Sequence, residues 1–319
     1  MVSIATTRNG KPTPFGLHGS LHVEGKHLID EHGNICQLKG LSSHNLSSYP
    51  EYINEELLTQ FTDEYNIELF RFAMYSSFAD EVFGYADGNE EHRSKLESLI
   101  IEGVKTAARL GIYVIVDWHV LLEKDPNIFT EDAVYFFKMI CPILKEYDNV
   151  IYEICNEPNP PTTWDDIKRY ANRIIPIIRE IDPGKVISVG TPTWSQNVDE
   201  ASASPLSYDN LVYSLHFYSD SHKEGVRALL DEALDRGNIA VFVTEFGICD
   251  ASGNGPINDE ETDIWLNKLD ENAISYCLWN LSNKDETSAI LKKDCTKHSG
   301  FTLDDFSECG KRFIQYMKR

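Results

Sequence analysis

The sequence predicts an α/β fold closed into a single (β/α)8 barrel, on three observations. From residue 36 onward, eight short strand-like runs alternate with longer amphipathic segments. The runs are nearly continuous in Val, Ile, Tyr and Phe, as strands buried on both faces of a parallel sheet are. No glycine-rich fingerprint follows the first run, which disfavours the runner-up, an open doubly wound sheet. Right-handed crossovers then close the eight strands into a barrel.

Residues 1–15 read as a flexible N-terminal extension and residues 16–319 as one domain, because no proline- or glycine-rich linker and no repeat divides them. "GLHGSLHVEGKHLIDEHGNI" (16–35) alternates around Gly25 and Gly33 and predicts a short hairpin ahead of the barrel. The strands are expected at "CQLKGLS" (36–42), "IELFRFAM" (67–74), "IYVIVDWH" (112–119) and "VIYEICNE" (150–157). Four more are expected at "KVISVGT" (185–191), "NLVYSLHFY" (210–218), "IAVFVTEF" (239–246) and "AISYCLWNL" (273–281).

Between them, "EELLTQFTDEY" (55–65) and "KLESLIIEGVKTAARLG" (95–111) predict helices, the second capped by Gly111. "TEDAVYFFKMICPILKEY" (130–147) begins at Thr130 as N-cap, and "TTWDDIKRYANRIIPIIREID" (162–182) stops before Pro183-Gly184. Pro142 and Pro176 interrupt these two patterns and predict a kink in one of them. Residues 195–209 predict one short turn at most, whereas "KEGVRALLDEALDRG", "DEETDIWLNKLDEN" and "LDDFSECGKRFIQYMKR" are helical.

A net charge of −22 argues against nucleic acid and against an anionic membrane surface as partners. No segment approaches the roughly 18 apolar residues of a membrane span. The first residues lack an apolar stretch of signal-peptide length. That leaves a cytosolic protein or a leader that has been removed; the expectation adopted is an extracellular, secreted, monomeric protein. Of seven cysteines, Cys36, Cys155 and Cys277 read as small buried thiols, while Cys295 and Cys309 are open to pairing as a disulfide or to remaining free. No Cys/His cluster has zinc spacing, so neither a metal nor another cofactor is expected.

Catalysis in such barrels sits where strands end. "VIYEICNEP" (150–158) ends a hydrophobic run in Asn156 and Glu157, and "AVFVTEFG" (240–247) delivers Glu245 in the same way. An unpaired buried carboxylate is expensive, so such positions serve chemistry or a salt bridge. Arg71, His119, His216, Tyr218 and Trp279 stand at further strand ends. Two carboxylates on separate strands, with His, Tyr, Arg and an aromatic platform around them, fit acetal hydrolysis. One protonates the leaving oxygen, the other meets the positive charge at the anomeric carbon, and their surroundings hold their pKa values apart.

These residues resemble glycoside hydrolase family 5, in particular its bacterial-type endoglucanase (cellulase A) branch. The resemblance rests on "LKGLSSHNL", "FRFAMY", "VIVDWHVL", "YEICNEP", "VGTPTWSQNVDEA", "YSLHFY", "VTEFGICDASGNG" and "CLWNLSNKDETSAIL", in that order along residues 16–305. It implies a TIM-barrel endo-β-1,4-glucanase that retains anomeric configuration, with Glu157 as acid/base and Glu245 as nucleophile. It further implies that Arg71 and Tyr218 flank Glu245, that Asn156 meets the sugar 2-hydroxyl, and that His119 and His216 contact the sugar or position the acid. Trp279 is then the floor under the cleaved sugar. His44, Lys284 and Glu286 match the non-reducing side of the cleft, and Trp194 the leaving-group side. The implied partner is a β-glucan polysaccharide.

One departure bears on subsites: Ser48 stands where many relatives carry a tryptophan, with Tyr49 or Tyr52 as its substitute. The competing readings are a mannan- or xylan-cleaving relative, a catalytically silent carbohydrate-binding barrel and a metal hydrolase. The sequons at Asn45 and Asn280 fall at the catalytic end of strands and are expected to stay unmodified.

Overall fold

Alternate residues of the strands face alternate environments, and that pattern builds the molecule, seen here in a computed structural model describing residues 2–319. Eight parallel strands close into a barrel: β1 Lys39–Ser43, β2 Leu69–Tyr75, β3 Tyr113–His119, β4 Val150–Glu153, β5 Ile187–Val189, β6 Leu211–Tyr218, β7 Ala240–Gly247 and β8 Tyr276–Leu281. Each pairs with its sequence neighbour, and β8 pairs with β1. The helices that follow them are α1 Glu55–Tyr65, α2 Glu90–Leu110, α3 Thr130–Leu144, α4 Trp164–Ile181, the short α5 Val198–Ala203, α6 Glu224–Arg236, α7 Asp259–Glu271 and α8 Glu308–Tyr316.

On β2, Phe70, Phe72 and Met74 pack outward with the helices, and on β3, Val114, Val116 and Trp118 do the same. The intervening positions fill the barrel in layers. Leu69, Tyr113, Ile115, Ile151, Val212, Phe242 and Cys277 make an apolar lower plug. Above it the interior turns polar, with Arg71, Asp117, Glu153, Ser214 and Thr244 all shut off from solvent. The hairpin of His22–Glu24 with His27–Ile29 lies under the plug, and Leu28 belongs to it.

The chain departs from the sequence reading in a few places, each with a local cause. Residues 2–15, read as a flexible extension, are tied to the rest of the chain: Ile4 is buried in the outer core, Ala5 N–H donates to the Ala108 carbonyl, and Thr13 caps a turn at Pro14–His18. Cys36 precedes β1, because its N–H donates to Leu28 of the hairpin. Strand β4 ends at Glu153, so Asn156 and Glu157 lie past the sheet rather than on it. Thr130 is the first residue of α3 instead of its cap, and its hydroxyl donates to the Asn127 carbonyl. Helices α3 and α4 run through Pro142 and Pro176, and α4 opens on a capping box of Thr163 and Asp166. All seven cysteines are free and buried, so Cys295 and Cys309 form no disulfide; the Cys309 thiol donates to the Ser288 carbonyl.

Gly103, inside α2, marks a close approach. A Cβ there would stand 2.5 Å from Cζ of Phe72, a fully buried ring. Gly103→Ala gains about 1 kcal/mol of helix propensity but forces an overpacking cost of about 1–3 kcal/mol. The expected outcome of urea unfolding is a lower midpoint at unchanged slope; a higher midpoint would show that Phe72 yields freely.

Candidate active site

Arg71 is the centre around which the site is assembled. Its side chain is fully buried and its nitrogens are spent on carboxylates from three strands. Nε donates to Glu153 Oε2 at 2.7 Å, Nη1 to Glu245 Oε2 at 3.1 Å, and Nη2 lies 2.9 Å from Asp117 Oδ2. Nη2 also donates to Asn156 Oδ1 at 2.6 Å, and Nη1 to Ser42 Oγ at 3.3 Å. A planar fork with five donors suits this task as no ammonium does.

Glu245 reaches Arg71 through a backbone irregularity. Strand β7 pairs Phe242 with Ser214 and then Glu245 with His216, so its register slips by one residue against β6. A second slip between Val243 and Phe246 occurs against β8. The bulge turns two successive side chains inward, Thr244 and Glu245, where strict alternation allows one. Glu245 then accepts from Arg71 on one oxygen and from the Tyr218 hydroxyl on the other at 2.9 Å.

Glu157 stands opposite. Its Oε1 is 2.9 Å from Nδ1 of His216, and its N–H donates to the Val120 carbonyl. One oxygen of Glu157, one of Glu245 and a nitrogen of His216 lie within 4.8 Å of one another. Three such atoms are close enough to clasp a cation. However, the Glu245 oxygens already accept from Arg71 and Tyr218, and a cation there would sit beside a guanidinium. The residues therefore fit proton and carbon chemistry better than a metal.

Four carboxyls crowd one guanidinium, and burial decides their protonation. Desolvation pushes Glu157 up to about 8 and Glu245 to about 7, with Arg71 opposing the shift in each. Glu245 is lower because Arg71, which pairs with it directly, and the Tyr218 hydrogen bond favour its charged form. Asp117 is pushed up to about 7 and Glu153 is also raised, both by burial and against Arg71. Burial lowers His119 and, to about 4, His216, so both rings are neutral near pH 7. Of the two glutamates that face each other, Glu245 is the first to lose its proton.

The two histidines do different jobs. His119 is held between Tyr75, with ring centroids 4.1 Å apart, and Trp279 at 5.5 Å. Its Nδ1 lies 2.6 Å from Asp117 and its Nε2 3.1 Å from Nδ2 of Asn156. An ionised Asp117 accepts a hydrogen bond from Nδ1–H, leaving Nε2 to accept from Asn156. The Asn156 amide hydrogens go to His119 and to the Val120 carbonyl, so its Oδ1, which already accepts from Arg71, offers the remaining lone pair. His119 thus orients Asn156, whereas His216 contacts Glu157.

The cleft above has a volume of about 580 Å³ and is lined by both glutamates, His119, His216, Tyr218 and Trp279. His44, Lys284 and Glu286 form one wall, near β1 and β8: Lys284 Nζ lies 3.2 Å from Glu286, 3.1 Å from Asp80 and 3.3 Å from His44. Trp194 stands across the barrel after β5, on a turn in which Thr193, Trp194 and Ser195 all have φ between 54° and 59°. Left-handed backbone at three consecutive non-glycine residues is costly and holds the half-exposed indole at the cleft. Near Ser48, Tyr52 is buried and cannot meet a ligand, while the partly exposed Tyr49 packs on His44 at 5.2 Å. Asn45 and Asn280 are fully buried, which agrees with unmodified sequons.

The sequence reading did not single out Asp117, Glu153, Thr244, Ser214 or Tyr75. The available signal was parity: Asp117 precedes His119 by two on one strand, and Tyr75 follows Arg71 by four on another.

Comparison with known proteins places the chain among relatives of the same fold. The family profile for cellulase, glycosyl hydrolase family 5, matches residues 29–285. Endoglucanase A of Butyrivibrio fibrisolvens is 44% identical over 303 residues, covering 95% of this chain and 69% of that protein. An endoglucanase of Clostridium saccharobutylicum is 42% identical, covering 93% of this chain and 64% of that protein. The chain thus spans about two thirds of the length of these relatives. The solved cellulase Cel5C_n superposes with a TM-score of 0.91 at 38% identity, covering 98% of this chain and 96% of that one. The catalytic domain of Thermobifida fusca endoglucanase Cel5A, solved with cellotetraose, gives 0.89 at 31% identity, covering 96% and 100%.

Proposed function

This chain belongs to glycosyl hydrolase family 5, and from that we propose that it is a retaining endo-β-1,4-glucanase with Glu157 as acid/base and Glu245 as nucleophile. The observation that carries the reading is the approach of the two glutamates. Oxygens within 4.8 Å leave no room for the water that inversion needs, and fit the spacing of about 5–5.5 Å typical of retention.

In the first step the Glu245 carboxylate attacks the anomeric carbon and forms a covalent glycosyl ester. The proton of Glu157 passes to the glycosidic oxygen, and the reducing-side sugar leaves. In the second step Glu157, now ionised, takes a proton from water, which attacks the anomeric carbon and releases Glu245. Arg71 and Tyr218 hold Glu245 ionised and aimed. Asn156 Oδ1 accepts from the 2-hydroxyl, Trp279 supplies the apolar floor, and His44, Lys284 and Glu286 bind the non-reducing side. Trp194 stacks under the leaving group. A polymer enters an open cleft from the side, so attack is internal.

The domain, with residues 2–15 packed into it, acts as a monomer outside the cell, where the polymer lies. No helix among the described residues is long and apolar enough to cross a membrane. The test is reducing-sugar release from carboxymethylcellulose, barley β-glucan, mannan and xylan in parallel. The two glucans are expected to be cleaved at least tenfold faster than mannan, since the axial 2-hydroxyl of mannose misses Asn156. Equal or faster release from mannan or xylan would move the reading to another polysaccharide.

A further inference from the structure

We propose that Glu153, acting through Thr244 and His216, is a positioning residue that keeps the proton on Glu157; the inference rests on the acid/base role proposed above. Glu153 makes no contact with the cleft. Its Oε2 accepts from Arg71 Nε at 2.7 Å, and its Oε1 accepts from Ser214 Oγ at 3.0 Å and from Thr244 Oγ1 at 2.6 Å. Thr244 Oγ1 is also 2.8 Å from Nε2 of His216, whose Nδ1 is 2.9 Å from Glu157 Oε1.

Proton counting fixes the direction of this chain. A threonine hydroxyl has one proton, and here it goes to the nearer partner, an ionised carboxylate that can only accept. Its oxygen must then accept from His216, which places the ring proton on Nε2. A neutral imidazole with its proton on Nε2 has only a lone pair at Nδ1. Glu157 can face that lone pair at 2.9 Å only as the donor, with the proton on Oε1. A buried anion four residues earlier in the chain therefore selects the tautomer that favours protonated Glu157. The bulge in β7 is what makes this possible, since it turns Thr244 inward beside Glu245.

The consequence extends through both steps. In the resting enzyme the acid is loaded. Once Glu157 has given its proton to the leaving oxygen, its carboxylate faces a lone pair, which makes it a stronger base toward the incoming water. The charged and titratable groups facing Glu157 and His216 are Arg71 on β2, Asp117 and His119 on β3, Glu153 on β4 and Glu245 on β7. The phenols of Tyr75 and Tyr218 complete the surroundings, and both stay protonated.

The test is Thr244→Val, which keeps shape and removes the hydroxyl. With the tautomer released, His216 can place its proton on Nδ1 and donate to ionised Glu157. A hydrogen bond to the charged form is worth enough to move the alkaline limb of kcat/KM down by about one pH unit. The acid limb should hardly move, and Thr244→Ser should restore the wild-type profile. Nitrogen-15 shifts of His216 in the unaltered protein give a second readout and should show the proton on Nε2. A uniform loss of turnover at every pH, with the limb in place, or a proton found on Nδ1, overturns the proposal. Glu157→Gln separates the two readings. If that variant keeps the alkaline limb, the acid/base role itself fails. If it loses the limb while Thr244→Val leaves it unmoved, only the relay fails.

Discussion

Glu245→Ala folds, binds cello-oligosaccharides and loses turnover by a factor on the order of 10⁴ to 10⁶, the range seen when a nucleophile acting within a catalytic unit is deleted. Folding should survive because the substitution removes one of three carboxyls that pair with a single guanidinium. Arg71 keeps Asp117 and Glu153 as partners, so no buried cation is stranded. Repulsion between Glu245 and Glu157, which raises the pKa of Glu245, disappears with it. The thermal midpoint is therefore expected at or above that of the unaltered protein, as when a site strained for activity is relaxed. Azide supplied in solution should recover part of the rate and give a glycosyl azide of inverted configuration, because a small anion takes the vacated position for a single displacement. Turnover within tenfold of the unaltered enzyme would remove Glu245 from the mechanism.

Glu157→Gln has the second-largest effect, and pH reveals it best. In the unaltered enzyme kcat/KM should be bell-shaped. Glu245 has to be ionised, so the rate rises through a limb near 7; Glu157 has to stay protonated, so it falls through a limb near 8. The pair is coupled, and the limbs belong to both residues together. With glutamine in place, cleavage of cellulose should drop by about 10²–10⁴-fold and the alkaline limb should vanish. The acid limb should move to lower pH, since the charge of Glu157 is among the causes that raise Glu245. Formation of the glycosyl enzyme from an aryl cellobioside with a good leaving group should be far less affected, because that oxygen leaves without a proton. An unchanged alkaline limb in the variant would assign the acid to another group.

Much of this site was legible in the chain because barrel strands have a simple grammar. A hydrophobic run that ends in a polar residue points to the catalytic end, and His119 and Tyr218 close their strands as that rule expects, whereas Arg71, read as a strand end, lies in the middle of Leu69–Tyr75. What the rule cannot see is a charge inside a hydrophobic run. Asp117 and Glu153 lie one step below the rim, inside runs that read as core, and they become visible only when Arg71 reaches them from a neighbouring strand. Nor can it see Asn156 and Glu157 leaving the sheet after Glu153, since "VIYEICNE" reads as one continuous strand.

By itself the sequence determined the barrel and the order of its strands, because hydrophobic periodicity is a local property that survives in a linear string, and strand-end chemistry singled out Glu157 and Glu245 as candidates. The tertiary structure alone decided which way each proton points. That depends on a one-residue slip in β7, on three carboxylates converging on Arg71, and on burial that raises every acid in the cluster. Electrostatic energies are set by distance and exclusion of water across strands up to 174 residues apart, and no local pattern encodes them.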